Sequence, residues 1–219
     1  MSDPDPAAQP EPATAGRRPL ASRGSAWASR LSGWAVQRGH TPNQISRASI
    51  GVAATGAMCF ALSLYGPGIL QWFWLLLAAA ACQARLACNL IDGMVAVEGG
   101  KGTKDGPFWN EVPDRLSDLF LFIGAGIAAG NPGLGCLAAA LAIATAYLRE
   151  LGRAEGFAPD FSGPMAKPHR MAALTVGAII AAFYASEWTL TVTLWIIIAG
   201  TALTLLTRSV RLITALKAR

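Results

Sequence analysis

Charge is missing from this chain in three long blocks, and that absence narrows what it can fold into. Between Arg47 and Arg85, and between Asp118 and Arg149, no Asp, Glu, Lys or Arg occurs; between Arg170 and Arg208 the single charge is Glu187. A membrane-crossing helix needs roughly 20 apolar residues. Each block is broken near its centre by turn residues, at Tyr65-Gly66-Pro67-Gly68, Gly130-Asn131-Pro132-Gly133 and Ser186-Glu187-Trp188. The pattern predicts an all-α integral membrane fold of six transmembrane helices in three hairpins.

The basic residues lie outside those central turns. They fall at the open ends of the hairpins: Arg17, Arg18, Arg23, Arg30, Arg38 and Arg47 before the first helix, Lys101 and Lys104 after the second, Arg149, Arg153, Lys167 and Arg170 around the fourth-to-fifth connection, and Arg208, Arg211, Lys217 and Arg219 at the tail. Lys and Arg concentrate in cytoplasmic loops. Both termini and the open ends are therefore expected on the cytosolic side, in a bacterial cytoplasmic membrane. The net charge of +5 follows from this topology and from attraction to anionic headgroups. With no aromatic-basic repeat, no nucleic-acid partner is expected.

Domain organisation follows from composition. Residues 1–22, rich in Pro, Ala and acids, read as a disordered tail without the apolar core of a signal peptide. Residues 23–40 set Trp27, Leu31 and Trp34 against Arg30 and Arg38, as a juxtamembrane amphipathic helix along the inner surface would, although an ordinary linker fits too. Residues 41–210 form the six-helix domain and residues 211–219 a basic tail. Cys59, Cys82, Cys88 and Cys136 sit in apolar helices without metal spacing and read as packing residues.

Against this apolar background stands a cluster of carboxylates and carboxamides. A charge at mid-membrane costs a few kcal/mol or more, so acids on membrane helices usually face a cavity or a cation. Asn89 and Asp92, three apart near the end of the second helix, share a face, and Gly93 beside them leaves the backbone open. On the third helix Asn110, Asp114 and Asp118, four apart, form one polar stripe with Glu111 at its edge. Oxygen ligands on facing helices near basic residues suit hard divalent cations such as Mg²⁺. Metal-assisted phosphoryl chemistry is the natural expectation.

These residues resemble the CDP-alcohol phosphotransferase (CDP-alcohol phosphatidyltransferase) family, whose signature reads D-x-x-D-G-x-x-A-R, eight residues, G-x-x-x-D-x-x-x-D. Asn89, Asp92, Gly93, Ala96, Val97, Gly106, Asn110 and Asp114 occupy the signature positions in order. Two aspartates have become asparagine and the arginine valine. Thr41-Pro42-Asn43-Gln44 resembles the family's entry to its first helix, and Arg149, Arg153, Lys167, His169 and Arg170 resemble the acceptor region of its phosphatidylglycerolphosphate-synthase-like members. The likeness covers about residues 40 to 208.

The resemblance implies a membrane enzyme that transfers a phosphatidyl group from a CDP-linked lipid such as CDP-diacylglycerol to an acceptor alcohol, releasing CMP. It implies a homodimer among membrane lipids and one or two divalent ions, Mg²⁺ or Mn²⁺. Carried over by position, Asn89, Asp92, Asn110 and Asp114 would hold metal, and Asp114 would also be the general base. Asn43, Gly93, Ala96 and Gly106 would border the nucleotide, and Arg149, Arg153, Lys167, His169 and Arg170 a phosphorylated acceptor. Each Asn keeps an oxygen ligand but removes a negative charge; Glu111, Glu98 or Asp105 are the carboxylates available to restore one, and Lys101 or Lys104 the cations nearest the vacated arginine position. Two other functions fit the same residues: a member that keeps the nucleotide-lipid pocket without turnover, and a small transporter using intramembrane acids.

Overall fold

The structure, a computed structural model, describes residues 25–66, 68–97, 99–184 and 186–219. The tail expected at 1–22, and Glu98, lie outside these residues. Among the described residues the chain is all-helical, with no strand. The helices are α1 (Ala26–Gln37), α2 (Pro42–Leu62), α3 (Ile69–Val97), α4 (Gly106–Ala128), α5 (Pro132–Ala154), α6 (Lys167–Phe183) and α7 (Ser186–Lys217). Residues 211–217, expected as part of a tail, continue α7 as helix.

Local chemistry sets several of these boundaries. Thr41 and Gln44 form a reciprocal capping box: the Thr41 hydroxyl accepts from the Gln44 amide at 3.2 Å, and Gln44 Oε1 accepts from the Thr41 amide at 3.0 Å. Pro42 follows at the first helical turn, where its missing N–H costs nothing. Gly130, at φ +68°, closes α4, and two residues later Pro132 opens α5 behind the Asn131 cap, whose Oδ1 accepts from the Leu134 amide at 3.2 Å.

Four helices, α2, α3, α5 and α7, are long and apolar enough to cross a membrane. The other two long helices fall outside that set for plain reasons. α4 carries Glu111, Asp114, Arg115 and Asp118, and α6 has only 17 residues. At 1.5 Å per residue, α3 with its 29 residues is about 43 Å long, against a hydrocarbon core of about 30 Å. Its last turns, which carry Asn89 and Asp92, therefore overhang any bilayer that its apolar stretch spans.

α2 packs against α3 and α4, α3 against α6, α4 against α5, and α7 against α5 and α6, while α1 lies across α3. The core, built around Phe60, Leu75, Leu121, Phe122, Met171, Leu174, Leu190, Leu194 and Ile197, runs through all six long helices. Lipid offers no hydrophobic drive between helices, so close packing of small residues has to supply it. α4 shows this on two sides. A Cβ on Gly124 would lie 2.6 Å from Ala57 Cα on α2, and one on Gly135 would lie 2.3 Å from the Phe122 carbonyl oxygen.

Gly135→Val is accordingly expected to destabilise the bundle by ~3 kcal/mol, as overpacking against backbone does. Gly51→Ala, on an exposed stretch of α2 with nothing within 4 Å of the new Cβ, should not. The midpoint of thermal unfolding in detergent checks both.

Candidate active site

The site begins with a guanidinium that has no access to solvent. Arg85, on α3, is 0 % exposed. Its Nη2 donates to Asp118 Oδ1 at 2.9 Å, to Asp114 Oδ1 at 3.3 Å and to the Asp114 carbonyl at 3.0 Å. Asp118 Oδ2 in turn accepts from Arg170 Nη2 at 3.3 Å. Asp114 Oδ2 is paired with Lys167, whose ammonium also donates to Asn89 Oδ1. Positive and negative groups thus alternate along a seam, Lys167, Asp114, Arg85, Asp118 and Arg170, that ties α6, α4 and α3 together. Helix periodicity makes it possible: 114 and 118 share one face of α4, and 167 and 170 one face of α6. Buried charges persist only when paired in this way.

Asp92 borders the seam and feels the charges of Asp114 and Lys167. It is buried; its Oδ2 accepts from the Ser46 hydroxyl at 2.6 Å, and its Oδ1 has no hydrogen-bond partner. Asn110 is exposed and donates to Glu111 Oε1 at 3.2 Å. Glu111 is occupied by Arg149, with Nη2 2.6 Å from each of its carboxylate oxygens, and by Arg115. With carboxamides at Asn89 on α3 and Asn110 on α4, no group of three His, Cys, Asp or Glu side chains stands together as a metal site among the described residues. The donor set still suits a hard divalent cation. Asp92 offers a buried carboxylate oxygen without a side-chain partner and Asn110 an amide oxygen, whereas both Asp114 oxygens are already paired, with Arg85 and Lys167.

A cavity of about 670 Å³ opens on this seam. Its lining includes Asn89, Asn110, Asp114 and Lys167, the guanidinium-bearing Arg115, Arg149, Arg153 and Arg208, and Trp27 of α1. The α5–α6 connection adds Pro159 and Phe161 to the lining. That strap is fastened to α7: Arg208 Nε donates to the Ser162 carbonyl at 3.0 Å, and the Met165 amide to Thr204 Oγ1 at 2.9 Å. Arg149 lies 5.8 Å from the Phe161 ring centroid.

The expected acceptor residues divide three ways. Arg149, Arg153 and Lys167 line the cavity. Arg170 also lines it, but is 3 % exposed and held by Asp118 and the Met165 carbonyl. His169 is exposed and lies outside the lining, because two residues along a helix from Lys167 points it to a different side. Arg208 and Arg115 line the cavity without having been singled out for it. Only their alignment with Arg149 in the folded bundle reveals the role.

The expected nucleotide residues, Asn43, Gly93, Ala96 and Gly106, gather around the α3–α4 connection and do not line this cavity. Asn43 Nδ2 donates to Thr103 Oγ1 at 3.1 Å and to Asp105 Oδ1 at 3.3 Å. The bond to Thr103, with those to Trp109 and Asn43, holds the Asp105 carboxyl below the usual carboxylate range. A Cβ on Gly106 would meet its nearest neighbour, Thr103 Oγ1, at 3.7 Å, an ordinary van der Waals contact without a clash. Lys101 is committed elsewhere, its ammonium donating to the Val36 carbonyl at 3.1 Å.

No protein-family model matches the chain. Curated relatives do. The phosphatidylinositol phosphate synthase of Mycolicibacterium smegmatis is 28% identical over 184 residues, covering 80% of this chain and 78% of the relative. That of Corynebacterium glutamicum is 31% identical over 180 residues, covering 78% and 76%. Among solved structures, the phosphatidylinositol phosphate synthase of Mycobacterium tuberculosis superposes in a complex with manganese and citrate at TM-score 0.71, with 20% identity, over 85% of this chain and 89% of that one. With CDP-DAG bound it superposes at TM-score 0.70, over 86% and 94%.

Asp118→Ala would leave Arg85 and Arg170 facing each other without their shared carboxylate. A loss of about 3–5 kcal/mol in stability is expected, as for any buried pair deprived of one partner. Denaturant or thermal unfolding in detergent measures it; a loss below 1 kcal/mol would mean that the seam is solvated.

Proposed function

The chain belongs to the CDP-alcohol phosphatidyltransferase family, and from that premise we propose that it moves a phosphatidyl group from a CDP-linked lipid such as CDP-diacylglycerol to a phosphorylated alcohol, releasing CMP. One observation carries the reading of the site. A single cavity joins the polar positions Asn89, Asn110 and Asp114 to a guanidinium group of Arg149, Arg153 and Arg208. The first set suits a metal-bound diphosphate. The second suits a further phosphate, since Arg forks onto phosphate oxygens. The curated relatives at 28% and 31% identity, both phosphatidylinositol phosphate synthases, support a phosphorylated polyol as acceptor.

In this reading Asp92 would hold a divalent cation with Asn110 as a further oxygen donor, as the manganese complex of the similar structure supports, while Asn89 and Asp114, the other two expected ligands, stand against Lys167. When bound, that cation offsets the diphosphate charge and stabilises the charge that develops on the leaving CMP. Asp114 takes the proton of the acceptor hydroxyl. The freed oxygen forms a bond to the phosphatidyl phosphorus, and the bond from that phosphorus to the CMP oxygen breaks. Lys167 and Arg85 fix the Asp114 carboxylate for this step. Arg149, itself held by Glu111, orients the acceptor phosphate together with Arg153. Asn43, Gly93, Ala96 and Gly106 border the nucleotide around the α3–α4 connection.

The same reading sets the chain in a bacterial cytoplasmic membrane as three hairpins, α2–α3, α4–α5 and α6–α7, making six spans. Both termini and the cavity face the cytosol. The buried state of Asp114 and Asp118 supports α4 as a span, because its acids turn inward. α1, with Trp27 and Trp34 about half exposed, lies along the inner surface, and two copies of the chain pair as a homodimer.

Purified protein with CDP-diacylglycerol, Mn²⁺ and a panel of phosphorylated and free alcohols is expected to release CMP with a phosphorylated one. Asp114→Ala should lower that rate by ~100-fold or more. Arg149→Ala should raise the KM for the acceptor by about tenfold, the loss of one charge-assisted contact, with less effect on the KM for the lipid. Substrate flux through proteoliposomes without CMP release would contradict the reading.

A further inference from the structure

We propose that Lys167 is a tethered cation that fills the place of a metal, so that the site takes one divalent ion, beside Asp92, and no second. This rests on the transferase reading and deepens it. The Lys167 ammonium sits on Asn89 Oδ1 of α3 and Asp114 Oδ2 of α4, two oxygens that converge from different helices as ligands of an ion would.

The charges around it leave no room for another dication. Asp114 and Asp118 stand against three fixed cations, Lys167, Arg85 and Arg170, and both oxygens of each carboxylate already have partners. An ion added beside Asp114 would have to displace Lys167 or Arg85 from its oxygens in a buried setting. At Asp92 the balance is opposite. It is in no ion pair among the described residues, and its buried Oδ1 has no side-chain hydrogen bond, which leaves a carboxylate with capacity for one cation.

The two carboxamides fit the same scheme. Asn89 gives the ammonium an oxygen without adding a negative charge that a further ion would have to offset. Asn110 has turned to the Glu111 carboxylate. The motif has thus exchanged two negative charges for amides and supplied the remaining positive charge from α6.

The test counts Mn²⁺ on purified protein in detergent, with CDP as the nucleoside diphosphate probe, by equilibrium dialysis and electron paramagnetic resonance. One Mn²⁺ per chain, with no spin coupling between ions, is expected for the wild type. The pair Asn89→Asp with Asn110→Asp should still take one ion while Lys167 is present, and adding Lys167→Met should admit a second, spin-coupled ion. Two ions in the wild type, none at all with CDP bound, or a second ion in the double variant that keeps Lys167, would each overturn the proposal. Lys167→Gln alone, with unfolding monitored alongside, guards against a triple variant that fails to fold. Its Mn²⁺ should bind about tenfold tighter for loss of a nearby positive charge, and unchanged affinity counts against the tethered cation. One bound ion without CMP release would sink the transferase reading but not the ion count. Two bound ions with normal CMP release would do the reverse.

Discussion

The structure depends on keeping a buried guanidinium paired. Arg85 sits where the bundle is otherwise apolar, and alone it would cost several kcal/mol. Its pairing with Asp114 and Asp118 fixes the rotation of α4, and the hold of Asp118 on Arg170 fixes α6. Three helices are thereby set in register by charge, while hydrogen bonds such as Ser46 to Asp92 and Arg208 to the Thr145 carbonyl tie in α2, α5 and α7. The close glycine contacts of α4 with α2 and α5 let this happen at short range. Stability and site share the same atoms. The carboxylate proposed to take a proton, Asp114, is also a link in the seam, so positioning and packing cannot be separated there.

The cavity inherits its two-part character from that arrangement. On one side the overhanging end of α3 and the start of α4 bring amide and carboxylate oxygens together. On the other, the last turn of α5 and the far part of α7 bring Arg149, Arg153 and Arg208 to the strap over Phe161. A substrate with two charged phosphate groups, one metal-bound and one guanidinium-bound, matches both halves. Lys167 stands on the oxygen side, against Asn89 and Asp114, which is why a fixed ammonium there can change how many ions that side needs.

Much of this was legible in the residues. The uncharged blocks marked where long helices would run, and the spacings 89/92 and 110/114/118 marked shared faces that the structure brings to one cavity wall or directly behind it. What stayed hidden depends on tertiary direction. Arg85 stands at the end of an apolar block, and nothing local decides that it, rather than the adjacent Arg115, is the buried partner of Asp114. Arg208 read as a boundary charge, yet it donates to the Thr145 and Ser162 carbonyls and lines the cavity. His169 shares the basic stretch of Lys167 and Arg170 but not their helical face. Lys101 sits near the valine of the signature, although its ammonium closes the end of α1. Charge and spacing identify groups available to a site; which way each helix turns decides which of them enter it.

An experimental structure of the protein with CDP-diacylglycerol and Mn²⁺, with the metal located by its anomalous scattering, tests the arrangement most directly. One manganese peak beside Asp92, the diphosphate between it and Arg149, and Lys167 still on Asp114 is the expected result. A nucleotide bound away from Asp92 and Asp114, or two manganese peaks with Lys167 displaced, would contradict it.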